Sequence, residues 1–346
     1  MTACVLLVVV GAPALAADLD QAMEYLQRGN FEAAADVLEQ LTEDEPMNAD
    51  GWYYLAMAYH ADKKYEKAVM ADLKAAEFQK TRASSLYNLA CAYALQGKAI
   101  QAMESLDQAF EAGFLDYDLL QRDTDLESVR DMMTVPLPRH YPYQEIKAEN
   151  GLRMRYHVIR PQAFDPETAY RALVAFPPGG WGELSADWAI ENLWGETTGD
   201  TDWLVVVPVA PDDGWINHPA HHALEDLLDH LREEYVIDGD FHLTGFETGA
   251  RPAATYSQMS NKYFRDLVTF SSYAWERWDE DELDDLDLPV YLVVGEDDEY
   301  GMEMTGRLLE HFDKDEVSMI AISGDDARLR SLRGGAMLTK IDELVR

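Results

Sequence analysis

The chain has 346 residues, of which 65 are acidic and 28 basic, for a net charge of −37. Apolar residues make up 47% and charged residues 27%, which excludes a disordered chain and allows two ordinary globular domains. A pI near 4.4 excludes partners that are polyanions, so neither nucleic acid nor anionic lipid is expected. It fits salty surroundings or a positively charged partner.

The first elements in chain order form an address. Residues 1–16 carry an apolar run from Val5 to Val10, a Gly-Ala-Pro break, and small residues at Ala14 and Ala16. This pattern suits signal-peptidase cleavage before Ala17 and predicts export to a bacterial periplasm or beyond. The run is too short to span a bilayer, and no later stretch is apolar enough to do so. With Cys4 removed, Cys91 remains as one thiol on the packed face of a helical pattern, and no disulfide is expected.

Residues 17–115 repeat with a period of 34. Trp52, Leu55, Ala56, Tyr59, Tyr65, Ala68 and Ala75 are followed 34 residues later by Leu86, Leu89, Ala90, Tyr93, Ala99, Ala102 and Ala109. Going back 34 from five of these positions gives Ala22, Tyr25, Phe31, Ala34 and Leu41. Small residues let paired antiparallel helices approach, and large ones fill the groove between them. Gly29 and Gly97 fall at the turn inside a pair.

The motif Trp52-x2-Leu55-Ala56-x2-Tyr59 and its spacing resemble the tetratricopeptide repeat, in three copies. The resemblance implies an all-α solenoid whose concave surface holds a protein or peptide partner, with Trp52, Tyr59 and Tyr93 as candidate binding residues. A stack that only packs against the next domain is the alternative. Residues 116–140 are polar and Asp-rich, with Pro136 and Pro138, and are expected to be a capping segment and linker.

Residues 141–346 alternate strand and helix. Strands are expected at Arg153–Ile159, Ala172–Phe176, Trp203–Val209, Phe241–Gly245, Leu267–Phe270, Val290–Val294 and Val317–Ile322. Helices are expected at Ala220–Tyr235, Ala250–Met259, Tyr300–Phe312 and Ala327–Val345. Runs such as Leu204-Val205-Val206-Val207 suit a sheet buried on both faces, so a doubly wound, mostly parallel α/β domain is predicted. Sites in such sheets lie at the carboxyl ends of the strands.

Three of these ends carry the chemistry. Gly179, Gly180 and Gly182 follow one strand, where glycines allow backbone N–H groups to face a cavity. Gly245-Phe246-Glu247-Thr248-Gly249 is a strand, a sharp turn and a helix start, and Asp297-Asp298 follows Gly295. Together they resemble an α/β-hydrolase of the esterase or dienelactone-hydrolase sort. The resemblance implies an oxyanion hole at Gly179, Gly180 and the Thr248 amide, a nucleophile at position 247, an acid at Asp298 or Asp297, and a histidine after Gly324.

Two positions depart from that pattern. The nucleophile position is Glu247, and the stretch Gly324-Asp325-Asp326-Ala327-Arg328-Leu329 has no histidine. A carboxylate nucleophile still needs a base to activate water. His311 falls on a helix before the last strand, and Thr248 supplies an amide rather than an attacking hydroxyl.

The loop holding His218, His221 and His222 could bring imidazoles to Glu247. With Asp212 or Asp213, His218, His222 and Glu247 form a possible zinc set, although their spacing matches no established metal motif. His157, His230 and His242 have no partners in sequence. The run Asp279 to Asp287 reads as a solvated acidic face rather than a calcium loop.

The expected protein is an exported binder or scaffold with a catalytically inactive hydrolase-like domain and no cofactor. The alternatives are an active hydrolase using Glu247 with the His218–His222 loop, with or without metal, and a structural subunit of a larger periplasmic or surface assembly.

Overall fold

In a computed structural model of the chain, the described residues are 13–133, 137–180, 182–195, 201–211, 215, 218–271, 288–311, 317–325 and 329–346. Of these, the side chains of 13–18, 218, 261, 308, 310, 311 and 330 are not described. Residues 1–12 of the leader, Asp212, Asp213 and the acidic run Asp279 to Asp287 lie outside this set.

The chain divides into two compact units. The first holds the residues up to Phe114 and the stretch from Asp123 to Val135, and the second holds Leu115–Arg122 and everything from Pro136 onward.

The first unit contains three helix pairs: α1 (Pro13–Gln27) with α2 (Phe31–Asp44), α3 (Ala49–Ala61) with α4 (Tyr65–Ala75), and α5 (Gln79–Leu95) with α6 (Ala99–Glu111). The second helices start at Phe31, Tyr65 and Ala99, in step with the sequence period. Each intra-pair turn needs one residue in the left-handed region. Gly29 and Gly97 both take φ 72° there, and Lys63 takes φ 59° at the matching place. Ala22, Ala34, Ala56, Ala58, Ala68 and Ala92 are fully buried where helices meet, and Leu38, Leu41 and Leu55 fill the gaps. A 3-10 segment, Thr124–Met132, packs on α5 and α6 of this unit.

The second unit begins with a short helix α7 (Tyr117–Arg122), followed by one sheet of eight strands. These are β1 (Gln144–Lys147), β2 (Arg153–Ile159), β3 (Arg171–Phe176), β4 (Trp203–Val209), β5 (Phe241–Phe246), β6 (Phe264–Phe270), β7 (Val290–Gly295) and β8 (Val317–Ile322). They lie in the order β1-β2-β4-β3-β5-β6-β7-β8, with the β1–β2 and β2–β4 pairs antiparallel and the other pairs parallel. This is the α/β-hydrolase fold.

Strand β4 shows why its residues form a central strand. Leu204 and Val206 point to one core and Trp203, Val205, Val207 and Val209 to the other, so both faces are buried with period two. One face is covered by α9 (His218–Glu234) and α10 (Ala250–Met259). The other is covered by α8 (Glu183–Ala189), its π-helical continuation to Trp194, and α12 (Gly335–Val345). Helix α11 (Glu299–His311) connects β7 to β8.

The helix expected from Ala327 starts only at Gly335. Leu329 and Gly334 take φ 40° and 59°, values no helical residue adopts. Strand β1 has no strong apolar alternation to announce it, since it is a four-residue edge strand of sequence QEIK.

Candidate functional site

Strand β5 ends at Phe246 and α10 begins at Ala250, so three residues must reverse the chain. Glu247 sits at the tip with φ 49°, one of four non-glycine residues at positive φ among those described. Such a conformation costs about 1–2 kcal/mol in an L-residue and persists only where the surroundings impose it.

The flanking glycines impose it here. A Cβ on Gly245 would overlap the Gly249 carbonyl, and one on Gly249 would come within 2.5 Å of the Phe176 carbonyl oxygen and 2.6 Å of that of Pro177. This is the strained strand-turn-helix elbow of the fold, with a half-buried carboxylate at its tip.

One donor beside the elbow is already engaged. The Gly179 N–H donates to Thr248 Oγ1 at 2.7 Å, and the Thr248 hydroxyl lies 3.2 Å from the Gly179 carbonyl. The space next to the glycine loop holds the chain's own residues. A Cβ on Gly179 would overlap the Leu115 carbonyl, one on Gly180 the Asp116 carboxylate, and one on Gly182 the Asp118 carboxylate.

Asp118 fixes this contact, accepting from Leu184 N at 3.0 Å, Ser185 N at 2.9 Å and Ser185 Oγ at 2.8 Å at the start of α8. Asp116 accepts from Leu119 N at 2.8 Å, and burial pushes its carboxyl above the usual range. The glycines at 179, 180 and 182 therefore accommodate a strap of the same chain.

Of the two acid candidates, Asp298 is fully buried and Asp297 is exposed. Asp298 Oδ1 accepts from Gly301 N at 2.9 Å, and a Cβ at Gly301 would overlap its carboxylate. After β8, the residue following Gly324 (φ 75°) is Asp325, which is buried and bonded through its carboxylate to the Ser331 hydroxyl. Its carbonyl accepts from Asp297 N at 2.9 Å, so the loop after β8 reaches the acid loop with a carboxylate in it. Sequence reasoning noted the missing histidine but overlooked Asp325, although the residue after Gly324 was there to be read.

The described histidines have other settings. His242 lies at the start of β5, roughly 16 Å along the strand from Glu247, with Nδ1 at 2.8 and 3.0 Å from the Asp266 carboxylate. His221 Nε2 is 2.5 Å from Ser260 Oγ, and its ring stacks on Tyr256. His222 pairs with Glu225 at 3.7 Å, His230 with Glu234 at 3.5 Å, and His157 contacts the Pro142 carbonyl at 2.8 Å. The His218 and His311 side chains lie outside the described residues. Among the residues that are described, no group of three or more His, Cys, Asp or Glu is placed to hold a metal ion.

The aromatic residues singled out in the repeats also have clear settings. Tyr59 is buried, its hydroxyl donates to Glu39, and burial together with that carboxylate pushes it up to about 12. Trp52 is half-buried and donates from Nε1 to the Pro46 carbonyl at 2.9 Å. Tyr93 is half-buried under the Lys98 ammonium, 5.6 Å from its ring centre.

Residues 19–85 match the tetratricopeptide repeat family. No curated protein matches the chain. Among solved structures, a thermostable esterase is 16% identical with a TM-score of 0.40, covering 54% of this chain, which spans only 56% of that enzyme's length. Est1E from Butyrivibrio proteoclasticus is 13% identical with a TM-score of 0.44, covering 59% of this chain and 99% of its own. The 2,6-dihydroxy-pseudo-oxynicotine hydrolase is 14% identical with a TM-score of 0.46, covering 86% of this chain and 87% of its own.

The protein joins tetratricopeptide repeats, a module of protein–protein interaction, to an α/β-hydrolase-fold unit. Among the described residues, no helix is long and apolar enough to cross a membrane.

Proposed function

We propose that this chain is an exported protein-binding or scaffolding protein whose α/β-hydrolase-fold unit does not catalyse. The observation that carries the reading is the elbow. Its tip holds Glu247 rather than a hydroxyl or thiol, and the adjoining Gly179 N–H is bonded to the Thr248 side chain. Acyl transfer needs a nucleophile whose ester can later break, a base to activate water, and free N–H donors for the developing oxyanion. Asp325 after Gly324, and the strap against Gly179 to Gly182, support the same reading. The repeats supply the binding function, and the leader supports export.

The test is hydrolysis of a panel of short acyl esters by the purified chain. Turnover that disappears in Glu247→Gln would overturn the reading. Export is tested by the N-terminal residue of protein recovered from outside the cytoplasm, which is expected to be Ala17.

A further inference from the structure

The sheet of the second unit has two edges, and they are built differently. One is β1, which is four residues long and exposes Glu145 and Lys147. Short length and charge are the usual means of blunting a sheet edge. The other is β8, six residues of sequence VSMIAI with no charge and no proline. Among the described residues, β8 pairs with β7 alone, and nothing pairs with its outer side.

Strand geometry tells which groups that side offers. The Ile322 carbonyl accepts from Glu296 N at 2.9 Å, so Ile322 faces the β7 side. The N–H and C=O of one strand residue point the same way, and the direction alternates along the strand. Ser318 and Ile320 therefore also face β7, while Val317, Met319 and Ala321 direct their backbone groups outward. The side chains along this edge are apolar on both faces. Val317 belongs to one core, and Ile320 and Ile322 pack against the other. Met319 is 37% exposed and Ala321 is exposed. Every residue of β4 is buried, so β8 has the composition of an inner strand and the exposure of an outer one.

Two features decide what the edge accepts. A six-residue strand spans about 20 Å, and pairing it with β8 of a second copy buries far less than the roughly 1,200 Å² of a stable interface. Each copy also carries a net charge of −37, so two copies repel. The loop after β7 and the first turn of α11 hold Glu296, Asp297 and Glu299, all exposed. Asp297 N donates to the Asp325 carbonyl at 2.9 Å, which sets these carboxylates at the C-terminal end of β8. An incoming strand with Lys or Arg at that end complements them.

We propose that β8 is a docking edge for an extended segment of a partner protein. The segment has apolar residues at alternate positions preceded by Lys or Arg, and it adds a strand antiparallel to β8. Backbone bonds to Val317, Met319 and Ala321 supply affinity, the flanking apolar side chains select the partner's, and the acidic end fixes its direction. The surface goes beyond the binding reading of the repeats and depends neither on them nor on the state of the elbow.

The probe is a fluorescein-labelled peptide, Arg-Lys-Val-Thr-Val-Thr-Val-Thr, added to the full-length chain. On binding, amide exchange is expected to slow about tenfold at Met319 and Ala321 and to stay unchanged at Ser318 and Ile320. Ala321→Pro removes an outward N–H that the sheet does not use, and is expected to weaken binding about tenfold while the thermal midpoint holds. Met319→Lys leaves the backbone intact, sets a like charge against the partner, and is expected to weaken binding as well. The same peptide with Glu-Glu in place of Arg-Lys is expected not to bind.

No slowing at Met319 and Ala321, equal binding of the acidic peptide, or binding unaffected by both variants would each overturn the proposal. So would a dimer in sedimentation equilibrium that Met319→Lys dissociates, which assigns the edge to a second copy. None of these outcomes bears on the ester assay that tests the non-catalytic reading.

Discussion

Asp72 lies inside α4 at the position that carries Leu38 and Leu106 in the neighbouring repeats, 34 residues away in each direction. All three residues are fully buried. Among the described residues, neither carboxyl oxygen of Asp72 has a hydrogen-bond partner, and burial pushes its pKa well above the usual carboxylate range.

Asp72→Leu removes an unsatisfied polar group, which costs about 1–3 kcal/mol, and adds aliphatic burial of about 2 kcal/mol. Overpacking offsets about 1–3 kcal/mol of this, which leaves a net stabilisation of about 2 kcal/mol near neutral pH. The sign of the pH dependence follows from the raised pKa. The native carboxyl binds its proton more tightly than the unfolded one. Its contribution is whole below the unfolded value of 3.8 and is lost as pH rises from there to the native value.

The advantage of Asp72→Leu over wild type therefore grows above pH 5, by up to about 1.4 kcal/mol per pH unit, and levels off once the native carboxyl ionises. Asp72→Asn, which cannot ionise, shares that slope with a smaller offset. Urea unfolding followed by helical circular dichroism at several pH values between 5 and 8 reads the difference, and the many other acidic groups cancel in it. A difference that does not change with pH, or a Leu variant less stable throughout, would refute the argument.

The other expectations concern backbone and contact geometry. Lys63→Gly is expected to stabilise the repeats by about 1 kcal/mol, because Lys63 takes the left-handed φ that Gly29 and Gly97 take without strain; the same urea experiment reads it. Gly249→Ala is expected to destabilise the second unit by more than about 2 kcal/mol, since the new methyl meets two backbone carbonyls that cannot withdraw. Thermal unfolding checks this, and an unchanged midpoint would count against the elbow packing. Asp266→Ala removes the hydrogen-bond partner of buried His242 Nδ1 and is expected to cost about 1–3 kcal/mol. Glu247→Ser is expected to give no ester turnover, because a hydroxyl alone restores neither the base nor the Gly179 N–H.

Much of the fold was legible because periodicity is written in side-chain size. The 34-residue spacing marked the helix pairs, and the apolar runs at Leu204 and Val290 marked central strands. Less legible was what rests on conformation or on contacts distant in sequence. Nothing local to Leu329 announces a left-handed residue, and the four polar-edged residues of β1 become a strand only by pairing with β2. The turn at Lys63 was hidden because its residue type does not advertise positive φ.

The candidate site divides along the same line. Gly245 and Gly249 were read as an elbow, and the elbow is there, because the close approach they permit is local. The sequence reads Gly179 and Gly180, with the Thr248 amide, as a vestigial oxyanion hole. A glycine in a sequence states only that a side chain is absent, and the atoms using that absence can belong to a substrate or to the chain itself. Here they belong to Leu115, Asp116 and Asp118, more than sixty residues earlier.

The carboxylate of Asp118 is spent on α8, and the N–H of Gly179 on Thr248. The fold keeps the strain that exposes a nucleophile and directs the surrounding polar groups to one another. The packing of Gly245 and Gly249 is sufficient by itself to impose the strained tip at Glu247. On that reasoning the elbow's φ survives any replacement of Glu247, and Glu247→Gly, which relieves the strain, is expected to raise the melting temperature of the second unit rather than lower it.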